Sequence, residues 1–162
     1  MNDPLDDLER IVNALPEETD LFGRTGQEFI RLLEKEGFEI VGTGGSRIVV
    51  GLGGTVAKID ASASSGTNHE ELSVWEEFAG ELPLAPILDT RSDGRILVMA
   101  RANRVFDEVS NQKPKKISGK YREAIDLGKA AMEEELPGMV DWQYDFNWGV
   151  IDGVVVCIDY GS

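Results

Sequence analysis

The chain is poor in basic residues, cysteine and histidine. Its 162 residues include 16 Lys and Arg against 30 Asp and Glu, for a formal net charge of −14. Long-range repulsion of that sign disfavours a nucleic-acid backbone or an anionic membrane as the main partner. Lys113-Pro114-Lys115-Lys116 is the one local basic run. Cys157 is the only cysteine, so no intrachain disulfide can form and nothing favours secretion. No stretch approaches the length of a membrane span, and MNDPLDDLER lacks the basic start and apolar run of a signal peptide. These absences set the expectation of a cytoplasmic protein with no membrane partner. There is no internal repeat, and ASASSG is the only low-complexity tract.

What is present suffices for a folded core. At 41% hydrophobic the chain is too apolar for a solvated acidic tail, and its length suits one domain or a small two-lobed unit. The carboxylates then coat a folded surface. That coat fits either adaptation to high salt, where bulk ions screen the self-repulsion, or an ordinary acidic cytosolic protein.

Periodicity divides the chain. Leu5, Leu8, Ile11, Val12 and Leu15 recur at helical spacing until Pro16. A second helix is predicted from Thr25, which forms a candidate capping box with Glu28, to Gly37. From Phe38 to Ile59 the text FEIVGTGGSRIVVGLGGTVAKI changes to β-rich runs punctuated by glycine, which predicts an antiparallel meander. NHEELSVWEEFAGEL then places Leu72, Trp75 and Phe78 on a third helix. Strands are expected at 85–89 and 95–100 around a Ser92-Asp93-Gly94 turn, and a polar connector follows. A helix over 120–135 brings Ala124, Ile125, Leu127, Gly128 and Ala131 to one side and stops at Pro137-Gly138. NWGVIDGVVVCIDYGS closes the chain as a hairpin turning at Asp152-Gly153. The expected organisation is a helical segment 1–37, an α+β unit 38–102, a connector 103–119 and a closing unit 120–162.

Several of these residues carry chemistry. Glycines in Gly42-Thr43-Gly44-Gly45-Ser46-Arg47 let backbone N–H groups approach phosphate oxygens without a Cβ clash. Lys58 stands inside an apolar strand on the same face as Val56. A desolvated ammonium there calls for an anionic partner. Glu71 is the candidate, either capping its helix at Asn68 or pairing with Lys58. In the closing hairpin, the two-residue turn sets Val150 opposite Val155 and Asn147 opposite Ile158, so Asn147 and Asp159 meet at the open end. An amide oxygen beside a carboxylate suits Mg²⁺, which takes few protein oxygens and completes its shell with phosphates.

Taken in order, GTGGSRIV, VAK, an acidic helix residue and NWG…CIDYG resemble the protein-kinase-like superfamily of protein kinases, RIO-type kinases and small-molecule phosphotransferases. The likeness covers roughly 38–162 and is greatest to very short kinase-like proteins of phages and archaea. It implies an α+β kinase-like fold, with an antiparallel N-lobe sheet, helices, and a truncated C-lobe ending after the catalytic-loop hairpin. It also implies ATP and Mg²⁺ as cofactors. Gly42 and Gly44 would cover the phosphates, with Arg47 a further candidate phosphate contact. Lys58 would reach the phosphates while paired to Glu71. Val49 and Val56 would roof the base, and the stretch from Met99 through Ala100 and Arg101 to Ala102 would form the hinge. Asn147 and Asp159 would hold the metal.

Two positions depart from the family pattern. Arg47 stands at the third glycine of the loop. The catalytic aspartate belongs five residues before the metal-binding asparagine, where this chain has Trp142, and Asp141 and Asp145 are the two candidates on either side. The implied activity is a minimal ATP- and Mg-dependent phosphotransferase with an unassigned acceptor. The alternative is an inactive kinase-like module that binds nucleotide or a partner, or serves as a structural protein. The short C-lobe leaves room for a second copy or another protein to complete it.

Overall fold

The computed structural model describes residues 3–21, 23–44, 46–63, 66–105 and 117–161. The Lys113–Lys116 run, Gly45 and most of the predicted connector lie outside the described residues. The chain divides into two compact units, Met1–Ser73 with Ile87–Arg101, and Val74–Pro86 with Ala102–Ser162.

In the first unit, α1 (Pro4–Asn13) begins where Asp3 accepts a hydrogen bond from Leu5 N at 2.9 Å and proline occupies the first turn, where a helix has no use for the missing N–H. Helix α2 (Arg24–Lys35) starts one residue ahead of Thr25, after Gly23, with no side-chain cap. The expected Thr25–Glu28 box is not what starts it. Glu28 instead pairs with Arg24 at 3.2 Å. A Cβ on Gly26 would lie 2.1 Å from the Leu21 carbonyl oxygen, so glycine is what lets this first turn approach the preceding backbone.

Strands β1 (Glu39–Thr43), β2 (Arg47–Leu52), β3 (Thr55–Asp60), β4 (Ile87–Arg91) and β5 (Ile96–Ala100) form one antiparallel sheet in the order β1-β2-β3-β5-β4. The middle strand, β3, is buried from Val56 to Asp60. Register aligns Ile48 with Ile59 and Ile96, and Val50 with Ala57 and Val98. These residues share a core with Leu8, Val12, Phe29 and Leu33, so residues 1–37 help to build the same unit as the sheet. Leu8 and Leu33 are fully buried, and burial of such a side chain contributes about 1.5–3 kcal/mol. By the period of two, the opposite face carries the rows Val49–Lys58–Leu97 and Gly51–Val56–Met99.

The fourth strand begins at Ile87 rather than Ala85. Pro86 has no N–H to give a ladder, and the Ala85 amide is already used, donating to the Cys157 carbonyl at 2.8 Å in the second unit. The β4–β5 turn holds Ser92, Asp93 and Gly94 at positive φ.

In the second unit, β6 (Asn103–Arg104), β7 (Trp148–Ile151) and β8 (Val154–Cys157) form a three-stranded antiparallel sheet in that order. The connector expected from Asn103 therefore starts as a strand, and Val105 after it is fully buried. Helix α4 (Gly119–Glu135) buries Ile125, Gly128 and Met132. Its inward face is turned from the predicted one, and Leu127 is 66% exposed. Gly128 lies under the buried Trp148 indole, where a Cβ would come within 2.6 Å of the ring. The segment before β4 runs beside β8, with Cys157 N donating to the Pro83 carbonyl at 2.7 Å. Cys157 is wholly buried, as a small apolar residue in this strand should be. No described helix is long and apolar enough to cross a membrane.

Candidate functional site

The first unit gathers its charged groups where β2, β3 and the start of α3 (Thr67–Phe78) meet. Lys58 Nζ donates to Glu71 Oε1 at 2.5 Å, and both side chains are removed from solvent. Glu71 is thus paired with Lys58, as one of the two expectations had it. Arg47 approaches the same carboxylate, with Nη1 3.4 Å from Oε1 and Nη2 donating to Oε2 at 3.4 Å. It also donates to Asn68 Oδ1 at 3.2 Å. Arg47 is 7% exposed, so it is turned into this cluster rather than out along the glycine loop. Two cations thus share one buried carboxylate.

Helix α3 is fixed to the sheet at its start. Asn68 is not its cap. Its Nδ2 donates to the carbonyls of Lys58, Gly94 and Arg95 at 2.9, 3.1 and 2.8 Å. Asp60, at the end of β3, instead accepts from Asn68 N at 2.9 Å and from Ser62 N at 3.3 Å, placing a carboxylate at the positive end of the helix dipole. Arg95 donates to the Asp60 carbonyl at 3.0 Å and to Thr19 Oγ1 at 3.1 Å. Sequence reading passed over Asp60 and Arg95 and gave Asn68 the wrong task. The available signal was Asp60 itself, which by strand alternation lies on the Lys58 face.

Around this cluster, Val49 pairs directly with Lys58, and Val56 and Met99 lie in the adjacent row of the same face. Gly42 follows an irregularity in the β1–β2 ladder. Gly44 N donates to the Arg47 carbonyl at 2.9 Å to close the turn. A Cβ on Gly42 would meet nothing within 4 Å, so the backbone there stands clear. Ser46 and Thr67 hydroxyls lie 3.0 Å apart and join the loop to α3. Beyond Met99 and Ala100, the Arg101 guanidinium grips Glu39 at 2.8 and 3.0 Å. That hydrogen bond and charge hold the Glu39 carboxyl below the usual carboxylate range.

In the second unit, the hairpin has the expected register. Val150 pairs with Val155, and Ile158 N donates to the Asn147 carbonyl at 2.8 Å. Asp152 and Gly153 occupy the turn at φ 51° and 80°. Asn147 therefore stands opposite the residue before Asp159. Its Nδ2 donates to the Asp141 carbonyl at 2.8 Å, which fixes the amide with its oxygen as the remaining acceptor. Trp148 Nε1 donates to the Trp142 carbonyl at 2.8 Å, and both indoles are buried. Tyr160 is buried with its hydroxyl donating to the Ala85 carbonyl at 2.9 Å.

The two candidate bases differ. Asp145 is held by Lys129 and by Arg122, whose Nη1 lies 3.3 Å from Oδ2. Partial burial alone would raise its carboxyl, but hydrogen bonds and charge from Lys129 and Arg122 outweigh that and lower it. Asp141 begins a 3₁₀ turn (Asp141–Gln143) and orients Asn147 through its own carbonyl. Among the described residues no group of three or more His, Cys, Asp or Glu gathers to hold a metal. The Asn147 amide oxygen and the Asp159 carboxylate are donors of the hard type that Mg²⁺ takes, with most of its shell from water or phosphate, and two such residues do not make the full protein cage that other metals need. No protein-family model matches the chain, and no curated protein matches it.

Proposed function

We propose that the chain is a kinase-like protein that binds ATP with Mg²⁺ and transfers the terminal phosphoryl group to a separate acceptor. The observation that carries this reading is the buried Lys58–Glu71 pair on the middle strand. Exchanging a buried ion pair for apolar residues is often neutral or stabilising, so stability alone gives little reason to keep one. An ammonium held beside the apolar residues Val49, Val56 and Met99 suits a ligand with a phosphate end and a flat apolar end. The open space beside Gly42 supports the same ligand.

In this reading Lys58 contacts phosphate oxygens and Glu71 fixes its direction. Met99, Ala100 and Arg101 stand as the hinge in this reading, although Met99 is paired in the sheet on both sides and the Arg101 amide donates to the Gly54 carbonyl at 3.0 Å. Asn147 and Asp159 would hold Mg²⁺, which when bound offsets phosphate charge. Asp141 is the base of choice. It accepts the acceptor's proton as the new P–O bond forms and the bond to the ADP leaving group breaks. Asp145, lowered by its two cations, is the poorer proton acceptor and serves to tie the turn to α4.

The test is transfer of label from γ-labelled ATP in Mg²⁺ to the protein itself and to added acceptors. Asp141→Asn should lower transfer by about 10²–10⁴-fold with MgATP affinity unchanged. A second reading, a binding module without transfer, is favoured by Trp142 at the position where the family keeps its base, where it is 5% exposed with its carbonyl taken by Trp148. Wild type that binds MgATP but labels nothing would select that second reading.

A further inference from the structure

We propose that Arg47 is a positioning residue, which retains the Glu71 carboxylate while Lys58 turns its ammonium toward an anionic ligand. This rests on the reading of Lys58 as a phosphate contact. Glu71 is 0% exposed, and a carboxylate so placed cannot lose its counter-charge cheaply. A lysine that must serve both Glu71 and a phosphate therefore faces a conflict. Leaning to the ligand weakens its hold on Glu71, and staying with Glu71 weakens the ligand contact.

The geometry of Arg47 removes that conflict. Its guanidinium is a planar fork with several donors, and it spans Glu71 Oε1, Glu71 Oε2 and Asn68 Oδ1 at 3.4, 3.4 and 3.2 Å. Both carboxylate oxygens thus keep a cation when Nζ moves. Asn68 in turn is bonded to the carbonyls of Lys58 in β3 and of Gly94 and Arg95 in the β4–β5 turn, so the fork rests on a fixed support. Helix α3 then needs no ligand to bring Glu71 into place, because its start is held by Asp60, Asn68 and Arg47 already. A glycine at this position in the loop, as the family pattern has it, could not do this work.

The experiment measures binding of inorganic tripolyphosphate and of MgATP by calorimetry, for wild type, Arg47→Gln and Arg47→Lys, each with Glu71 intact and as Glu71→Gln. With Glu71 intact, Arg47→Gln should weaken both ligands at least tenfold, and Arg47→Lys, which keeps the charge, should recover most of that loss. In the Glu71→Gln background, where no carboxylate remains to be held, Arg47→Gln should change affinity less than twofold. A tenfold loss in both backgrounds would mean that Arg47 contacts the ligand directly, and the positioning role would be refuted. Unchanged affinity on Arg47→Gln with Glu71 intact would refute it too. If Arg47→Gln does not fold, the Arg47→Lys cycle reads the same coupling at smaller amplitude. Wild type that binds neither ligand at millimolar concentration overturns the nucleotide reading itself and this role with it, whereas wild-type binding without coupling overturns this role alone.

Discussion

Glu71→Gln and Lys58→Met should differ sharply in their cost, although each removes one member of the same ion pair. Glu71 is fully buried, Lys58 is 5% exposed and Arg47 is 7% exposed. Breaking a buried pair by deleting one partner costs about 3–5 kcal/mol, because the other charge stays buried. Glu71→Gln removes the carboxylate that two cations share, so it should reach that range. Lys58→Met leaves Glu71 in contact with both Arg47 nitrogens, and the methionine retains most of the buried stem, so its cost should stay below about 2 kcal/mol. A domain's total stability is about 5–15 kcal/mol, and with a urea slope near 2 kcal/mol per molar, Glu71→Gln should lower the midpoint by about 2 M. Urea unfolding followed by circular dichroism reads both variants. Lys58→Met costing as much as Glu71→Gln, or Glu71→Gln lying within about 0.5 kcal/mol of wild type, would refute a carboxylate shared between two cations.

Gly128→Ala should lose about 1–2 kcal/mol, since crowding the Trp148 indole at 2.6 Å outweighs the gain of about 1 kcal/mol that alanine brings to a helix interior; a net gain in thermal stability would contradict the packing described. Asp145→Asn should cost less than about 1 kcal/mol, because its partners are partly solvated. The Asp145 carboxyl is lowered in the folded state, so its contribution is full above the ordinary carboxylate range, near pH 3.9, and is lost as pH falls through the lower folded value. Wild type and Asp145→Asn should therefore converge in acid, and a gap that widens there would contradict the pairing. If the acidic coat is an adaptation to high salt, the melting temperature should rise from dilute buffer to molar KCl; equal values would mark an ordinary acidic protein.

Much of this was legible because strand alternation and hairpin counting are rigid rules. The two-residue turn at Asp152-Gly153 by itself sets Asn147 opposite Ile158. Likewise, a lysine within an apolar strand required an anion, and Glu71 on the next helix was the available one. Side-chain hydrogen bonding was less legible, because one residue type serves several roles. Asn68 read as a cap from its local spacing, yet long-range packing spent its amide on three carbonyls. Arg47 stood only as a further candidate phosphate contact, and its approach to Glu71 and Asn68 depends on where α3 packs, which strand alternation does not encode. The Gly26 contact with Leu21 depends on how two segments approach, which periodicity does not encode.

Under the proposal that Lys58 and Asp159 serve a bound MgATP, the decisive experiment is titration calorimetry of MgATP into wild type, Lys58→Ala and Asp159→Ala. Wild type should bind saturably, and each variant should bind at least tenfold more weakly while circular dichroism shows both still folded. Wild type should also lose affinity when EDTA removes the metal. Wild type that takes up no heat from MgATP at millimolar concentration, or folded variants that bind as wild type does, would contradict the proposal.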